Sequence, residues 1–424
     1  LALYRSNERK IYSLEEIVPF IKEDEILVMY LESWGNNILF LITGGKNPYI
    51  TIDFNIRYPD QFKDIDYGKT ELIYSYDNKD LREKIIKDLY NKLKHNKDSN
   101  FLDFYHYGKY LTRNIFARNA NNLYEKDKII FISNVKNSNL PISILPSISN
   151  IVEDHNKSFF IDEFVIKNLF SLSSFEMKKN LKDDKKNFTF LGVADPVISR
   201  NSMTNSKTSL FDLKKISNLF RNGNIADLSL LKTLDELPET SFEVTEISKN
   251  FYISKLLTRE DATEANIKKM DLSQYDIINF ATHSIPVFNN NSFNQPGLVL
   301  SLPEKASDLD DGFLTPKEIS KLNLKAKIVI LSACDTASGN KDNNEILSGL
   351  AQAFLYAGAE SVIVSHWPVE SQATAILMNK FFDNWIKKDL EIAESLSLAK
   401  IYLRENFPEY RHPSYWGAFS YYGL

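Results

Sequence analysis

Apolar and polar positions along the chain change their rhythm near residue 180. Before it, three β-rich runs follow one another, Ile26–Leu31, Ile38–Thr43 and Tyr49–Phe54, and Gly44-Gly45 between the last two is a hairpin signal. Ser13-Leu-Glu-Glu16 has the spacing of a capping box ahead of a short helix. Helical patterns are expected over Asp80–Leu93 and Leu102–Arg118, a strand over Ile129–Val135, and a loop over Leu140–Pro146. Ile161–Leu169 carries mixed signals. The run of Lys, Asp and Asn over Lys178–Asn187 reads as a solvated turn, and a soft boundary is placed there.

After the boundary, strand and helix patterns alternate. Strands are expected at Phe188–Val193, Ile277–Ala281, Gly297–Leu302, Ala326–Ala333, Ser361–Ser365 and Trp416–Tyr421. Residues 199–225, rich in Ser, Asn, Thr and Lys, read as an insertion. Helix starts are expected at Asp261-Ala-Thr-Glu264 and at Thr315-Pro-Lys-Glu318. Over Glu345–Ala357 the residues Ile346, Leu347, Leu350, Ala351, Phe354 and Leu355 share one helical face, and Gly358 stands where the helix should stop. Two more helices are expected, Ser371–Trp385 and Ile392–Glu405. Alternation of this kind implies an α/β sandwich with a mostly parallel sheet. The expected organisation is a smaller α/β lead region over residues 1–175 and a core over residues 176–424.

Composition narrows the chemistry. A net charge of -5 argues against a nucleic-acid groove. The absence of an eighteen-residue apolar run argues against a membrane-spanning helix. One cysteine excludes a disulfide framework within the chain and a Cys-rich zinc site, and no His spacing suggests a metal, so no cofactor is expected. A lone thiol fits a reducing, cytoplasmic setting. The start, Leu-Ala-Leu-Tyr-Arg, reads as that of an internal fragment or a trimmed chain.

Ligands of open α/β sheets bind at the carboxyl ends of strands. Two expected strands end in reactive side chains, one delivering His283 and the other Cys334. If those strands are neighbours, their tips stand about 5 Å apart. An imidazole there can take the thiol proton and later protonate a leaving amine. The helix after Cys334 points its N-terminus roughly toward that loop, which favours a thiolate. A single Cys is also common as a small buried hydrophobe, and a single His as a satisfied structural residue.

Nine segments in order then point to one family: Leu191-Gly-Val-Ala-Asp-Pro196, Leu237–Ile247, Asn279-Phe-Ala-Thr-His-Ser284, Gly297-Leu-Val-Leu-Ser301, Asp311-Gly-Phe-Leu-Thr-Pro316, Ile330-Leu-Ser-Ala-Cys-Asp-Thr336, Gly349–Phe354, Ser361–Val369 and Trp416-Gly-Ala-Phe419. Here the sequence resembles the CHAT family, caspase-like peptidases often attached to tetratricopeptide repeats. The resemblance implies a caspase-like three-layer sandwich and peptide-bond hydrolysis by Cys334 and His283. It implies backbone oxyanion donors at Ser284 and Cys334. It also implies that the end of the first core strand, Asp195, helps to build the pocket for the side chain before the scissile bond. Asp195 would favour Arg or Lys there, with Trp367 as an apolar wall; Asp195-Pro196 as a plain turn is the competing reading. The expected partners are a protein or peptide substrate and an upstream repeat region or regulatory partner. Two positions depart from the family pattern: Ser284 replaces the usual Gly after the His, and His366 stands before Trp367-Pro368, where an apolar residue is usual. A non-cleaving adaptor and a general thiol acyl hydrolase are the competing functions.

Overall fold

The computed structural model describes residues 13–33, 36–45, 50–55, 70–74, 119–133, 140–147, 159–177, 187–198, 220–221, 225–285, 296–332 and 344–424, with a few single positions between 48 and 116. Its strands are β1 (Glu25–Ser33), β2 (Asn36–Thr43), β3 (Ile50–Asn55), β4 (Thr70–Tyr74), β5 (Lys128–Ser133), β6 (Val165–Asn168), β7 (Thr189–Pro196), β8 (Phe220–Arg221), β9 (Ile225–Ala226), β10 (Ile253–Arg259), β11 (Ile277–Ala281), β12 (Ser284–Ile285), β13 (Gly297–Val299), β14 (Phe313–Leu314), β15 (Ile328–Leu331), β16 (Val362–Ser365) and β17 (Phe419–Tyr422). Its principal helices are α1 (Pro238–Ser248), α2 (Glu264–Lys269), α3 (Asn344–Ala357), α4 (Ser371–Phe382) and α5 (Ile392–Asn406).

Twelve strands form one sheet in the order β10-β7-β11-β15-β16-β17-β6-β5-β1-β2-β3-β4. From β10 to β16 every pairing is parallel; β17 runs antiparallel to β16 and parallel to β6. The core strands and the lead strands therefore share a single sheet, joined where Tyr422 pairs with Asn168. β12, β13 and β14 make a small antiparallel sheet beside it.

The apolar runs explain the layers. Strands buried on both faces need no alternation, and β11, β15 and β16 are buried at every position. On one face, Phe190, Ile277, Ile328, Ile330 and Ile363 pack with residues of α1, α4 and α5. On the other, Leu191, Val193, Ile278, Phe280, Val329 and Leu331 pack with α2, the turn Pro316–Ile319 and α3. The result is helices, a mostly parallel sheet, and helices again. The first of these clusters continues through Phe159, Phe160 and Ile166 to Ile26, Val28 and Ile129, so lead region and core share apolar surface.

Local signals act as their chemistry dictates. Ser13 and Glu16 make the reciprocal capping bonds, 2.9 Å and 3.3 Å, and Thr315 with Glu318 forms a second box. Gly358 ends α3 at φ 120. At α2 the cap is Thr263, whose Oγ1 accepts from the Asn266 N–H at 3.1 Å, rather than Asp261. Trp416 closes a short helix, Pro413–Trp416, and the last strand starts three residues later, at Phe419. The mixed segment at 161–169 resolves into a helical turn, Phe160–Glu163, followed by β6. Most of the helical patterns expected over 80–93 and 102–118, and most of the insertion at 199–225, lie outside the described residues.

Candidate active site

Parallel strands bring the carboxyl ends of β7, β11, β15 and β16 to one edge of the sheet. Ala281 pairs with Ala194, and Phe280 pairs with Leu331, so Asp195, His283 and Ser332 stand near the ends of neighbouring strands at similar levels. The Ser332 N–H still donates to the Phe280 carbonyl at 3.0 Å. Cys334, two residues further on, lies outside the described residues.

His283 is fixed on three sides. Thr282 before it donates its hydroxyl to the Val299 carbonyl at 2.5 Å, and the His283 carbonyl accepts from the Val299 N–H at 2.8 Å. Its Nε2 stands 2.8 Å from the Asp235 carbonyl oxygen. A carbonyl only accepts, so Nε2 carries the proton and Nδ1 is the basic nitrogen of the neutral ring. The ring is buried but not sealed, with 8 % of the residue exposed. Ser284 follows in β12 opposite Leu298 and is fully buried.

The segment Asp235–Thr240 stitches this edge together. Besides the Asp235 carbonyl, Glu236 accepts from the Ile198 N–H at 3.2 Å and from Arg259 Nη1 at 2.7 Å. The Asp195 N–H donates to Thr240 Oγ1 at 2.9 Å, and that hydroxyl donates to the Leu237 carbonyl at 2.7 Å. Asp195 has a left-handed φ of 48 at an irregularity inside β7, where the pairing with β10 steps from Ala194–Thr258 to Pro196–Arg259, and its carboxylate lies 3.2 Å from Arg259 Nη1. Asp195 is thus buried and already paired with a half-exposed guanidinium.

Trp367 follows β16 at the same end of the sheet, but its ring is fully buried and its N–H donates to the Ser414 carbonyl at 2.8 Å. His366 is also buried, with Nε2 2.9 Å from Ser420 Oγ. The structure therefore brings Asp195 and His283 to one edge, and places Trp367 and His366 in the packed layer behind it. Sequence reasoning missed Asp235, Glu236 and Arg259. A backbone carbonyl has no side-chain signature, and Arg259 reaches Asp195 through the β7–β10 pairing and Glu236 through the segment before α1.

The CHAT domain pattern matches residues 114–424, most of the chain. This chain belongs to the CHAT domain family. The match begins inside the lead region, so the CHAT domain here includes β5 and β6 as well as the strands that carry the site. Among curated proteins the CHAT chain is similar to Tetratricopeptide repeat protein 28 of Mus musculus, 24 % identical over 230 residues, covering 47 % of this chain and 9 % of that protein. It is similar to the Homo sapiens protein of that name at 25 % over 178 residues, covering 35 % and 7 %. The chain thus spans less than a tenth of the length of these relatives. Among solved structures it is similar to the Porphyromonas gingivalis RgpB pro- and mature domain complex, with TM-score 0.41, 10 % identity and coverage of 81 % of this chain and 76 % of that one. It is similar also to the Saccharomyces cerevisiae separase–securin complex, with TM-score 0.45, 11 % identity and coverage of 96 % and 30 %. Among the described residues no helix is long and apolar enough to cross a membrane.

Proposed function

We propose that this CHAT domain is a caspase-like cysteine endopeptidase that hydrolyses peptide bonds of a protein substrate through Cys334 and His283. The observation that carries the reading is the 2.8 Å contact between His283 Nε2 and the Asp235 carbonyl, an acceptor that favours a proton on Nε2 and so assigns the role of base to Nδ1. The register supports it. β11 and β15 are adjacent and parallel, and the Ser332 N–H, two positions before Cys334 in the sequence, still donates to the Phe280 carbonyl at 3.0 Å. Imidazole would take the thiol proton, the thiolate would attack the scissile carbonyl, and the imidazolium would protonate the leaving amine. The backbone N–H groups of Ser284 and Cys334 are the proposed oxyanion donors.

In this reading residues 176–424 supply the chemistry and residues 1–175 support them. A thiol nucleophile works in a reducing compartment, and a cytoplasmic location follows. The curated relatives carry tetratricopeptide repeat in their name, so a repeat region, or a separate regulatory partner, is the proposed source of control. Asp195 remains the proposed acidic end of the substrate pocket, with Arg259 as the cation that a substrate Arg or Lys displaces. A preference for Asp or for large apolar residues before the cut, unaffected by Asp195→Ala, removes Asp195 from that role.

The deciding experiment measures turnover of a mixed peptide library together with thiol labelling. Cys334→Ala should abolish turnover and keep the fold. His283→Ala should lower turnover at least about a hundredfold and slow labelling at neutral pH, with recovery at high pH where the thiol ionises unaided. Turnover undiminished in Cys334→Ala sinks the peptidase. Labelling that depends on residue 283 without any turnover leaves the adaptor with a preserved dyad.

A further inference from the structure

A cavity lies where the lead region meets α5 and β17. Its walls come from both sides. Ser143, in the 3₁₀ turn Ile142–Ile144, and Asn168, at the end of β6, belong to the lead region; Ser397, Lys400, Ser420 and Tyr421 belong to α5 and β17. The cavity sits beside the seam of the sheet. There the Asn168 side-chain amide donates to the Tyr421 carbonyl at 3.0 Å, and the Gly423 N–H donates to the Asn168 carbonyl at 3.1 Å. The cavity volume, about 20 Å³, admits one small species rather than a metabolite.

The polar groups around this space are rich in donors and poor in acceptors. Lys400 is 4 % exposed, and among the described residues its amine has neither an ion pair nor a hydrogen bond. Ser143 is 5 % exposed, and its hydroxyl has no hydrogen-bond partner. Ser397 precedes Lys400 by three residues on α5, so both stand on one face of the helix. Among the described residues no carboxylate lines the cavity. The acids nearest along the fold are engaged elsewhere: Glu391, just before α5, by Lys22, Lys128 and Lys167, and Asp162 by Arg404, one turn beyond Lys400. Ser420 Oγ already lies 2.9 Å from His366 Nε2. A buried ammonium is costly without a counter-charge, and an unpaired hydroxyl adds to that cost. One negatively charged acceptor would answer both.

We propose that this cavity is a binding site for one monatomic anion of halide size, held between the Lys400 ammonium and the hydroxyls of Ser143 and Ser397. Water in the same place would supply a dipole and leave the charge uncompensated. A chloride-sized anion supplies the charge and accepts from several donors at once. An oxyanion such as sulfate is too large for the space. Ser143 comes from the lead region and Lys400 from α5, so the bound anion fastens the two parts of the sheet beside β6 and β17. The site uses neither His283 nor Cys334, and it stands whether or not the chain cleaves peptides.

Thermal unfolding of the full chain tests the site, at about pH 6 in sodium gluconate exchanged stepwise for sodium chloride at constant ionic strength. The wild-type melting temperature should rise by about 1–2 °C for each tenfold increase in chloride beyond half-occupancy, and sodium bromide should act alike. Lys400→Met should melt above wild type in gluconate and show no response to chloride. Ser143→Ala should need about tenfold more chloride for the same rise. A wild-type melting temperature that ignores chloride overturns the proposal. So does a rise of equal size in Lys400→Met, which marks a general salt effect. If Lys400→Met does not fold, Ser143→Ala still decides: a chloride midpoint unchanged from wild type overturns the proposal.

Discussion

Lys400 is an ionisable residue buried on the α5 helix. It lies on α5 with 4 % of the residue exposed, beside a small cavity lined by Ser143, Asn168, Ser397, Ser420 and Tyr421. Among the described residues it has no ion-pair partner, and burial pushes its amine down to about 7 from an ordinary 10.5. The unfolded chain therefore binds a proton that the folded chain gives up across that interval, and the Lys400 contribution makes stability rise with pH between about 7 and 10.5. Below about 7 both states are protonated and the full penalty remains. Lys400→Met should raise the melting temperature most below that pH, and its advantage should shrink as pH climbs toward 10.5. A constant difference across the range would assign the effect to packing. Glu243 has the opposite sign. Its raised carboxyl favours folding fully below about 4.5, and that contribution is lost as pH rises through about 7.

At the scale of elements, backbone conformation decides what sequence can and cannot show. Gly358 ends α3 at φ 120, and a Cβ there would stand 2.2 Å from the Leu324 carbonyl oxygen. The same carbonyl belongs to the segment that feeds β15. Gly358→Ala should destabilise the protein by more than about 1 kcal/mol, because strain and collision act together, and chemical denaturation would measure it. Such signals were legible in the sequence because they are local. The Ser13 and Thr315 boxes, the Gly358 stop and the apolar runs of β11, β15 and β16 each lie within a few residues of one another. What escaped was set by distant partners. Trp416 sits in an apolar run ending in aromatics, yet Pro413 starts a helical turn there and delays the strand. His283 was legible as an imidazole at a strand end, whereas the carbonyl that meets its Nε2 comes from Asp235, 48 residues away. Glu243 was inside a recognised segment, but the burial that raises its carboxyl depends on how α1 packs against the sheet.

At the scale of the whole molecule, the join between lead region and core is electrostatic as well as apolar. Glu391, which precedes α5, lies 2.7 Å from Lys22, 3.2 Å from Lys167 and 3.3 Å from Lys128, all three in the lead region. Burial alone would raise its carboxyl, but hydrogen bonding from Lys22 and the charge of Lys167 outweigh that and hold it at about 2, against an ordinary 4.5. The sign follows from the lowered value: the stabilisation is present above about 4.5 and fades as pH falls toward 2. Glu391→Gln should therefore melt earlier than wild type at neutral pH and converge with it in acid. Arg404 adds a two-pronged contact to Asp162, at 2.6 Å and 3.0 Å. A chain starting near residue 176 would lose all of these partners and expose the shared apolar cluster, and it should be poorly soluble. A well-behaved short chain with full thiol labelling would show that the lead region is dispensable.

The pairing of Tyr422 with Asn168 carries a further consequence for biosynthesis. The strand that covers one edge of β6 is β17, which comes far later in the sequence. On a ribosome adding about 5–20 residues per second, roughly ten seconds to a minute separate the emergence of β6 from that of β17. During that wait β6 presents unpaired N–H and carbonyl groups to whatever is nearby, including the same strand on a neighbouring nascent chain. Vectorial synthesis thus leaves half of the sheet finished but open, and a ribosome that stops early releases a polypeptide with an adhesive edge.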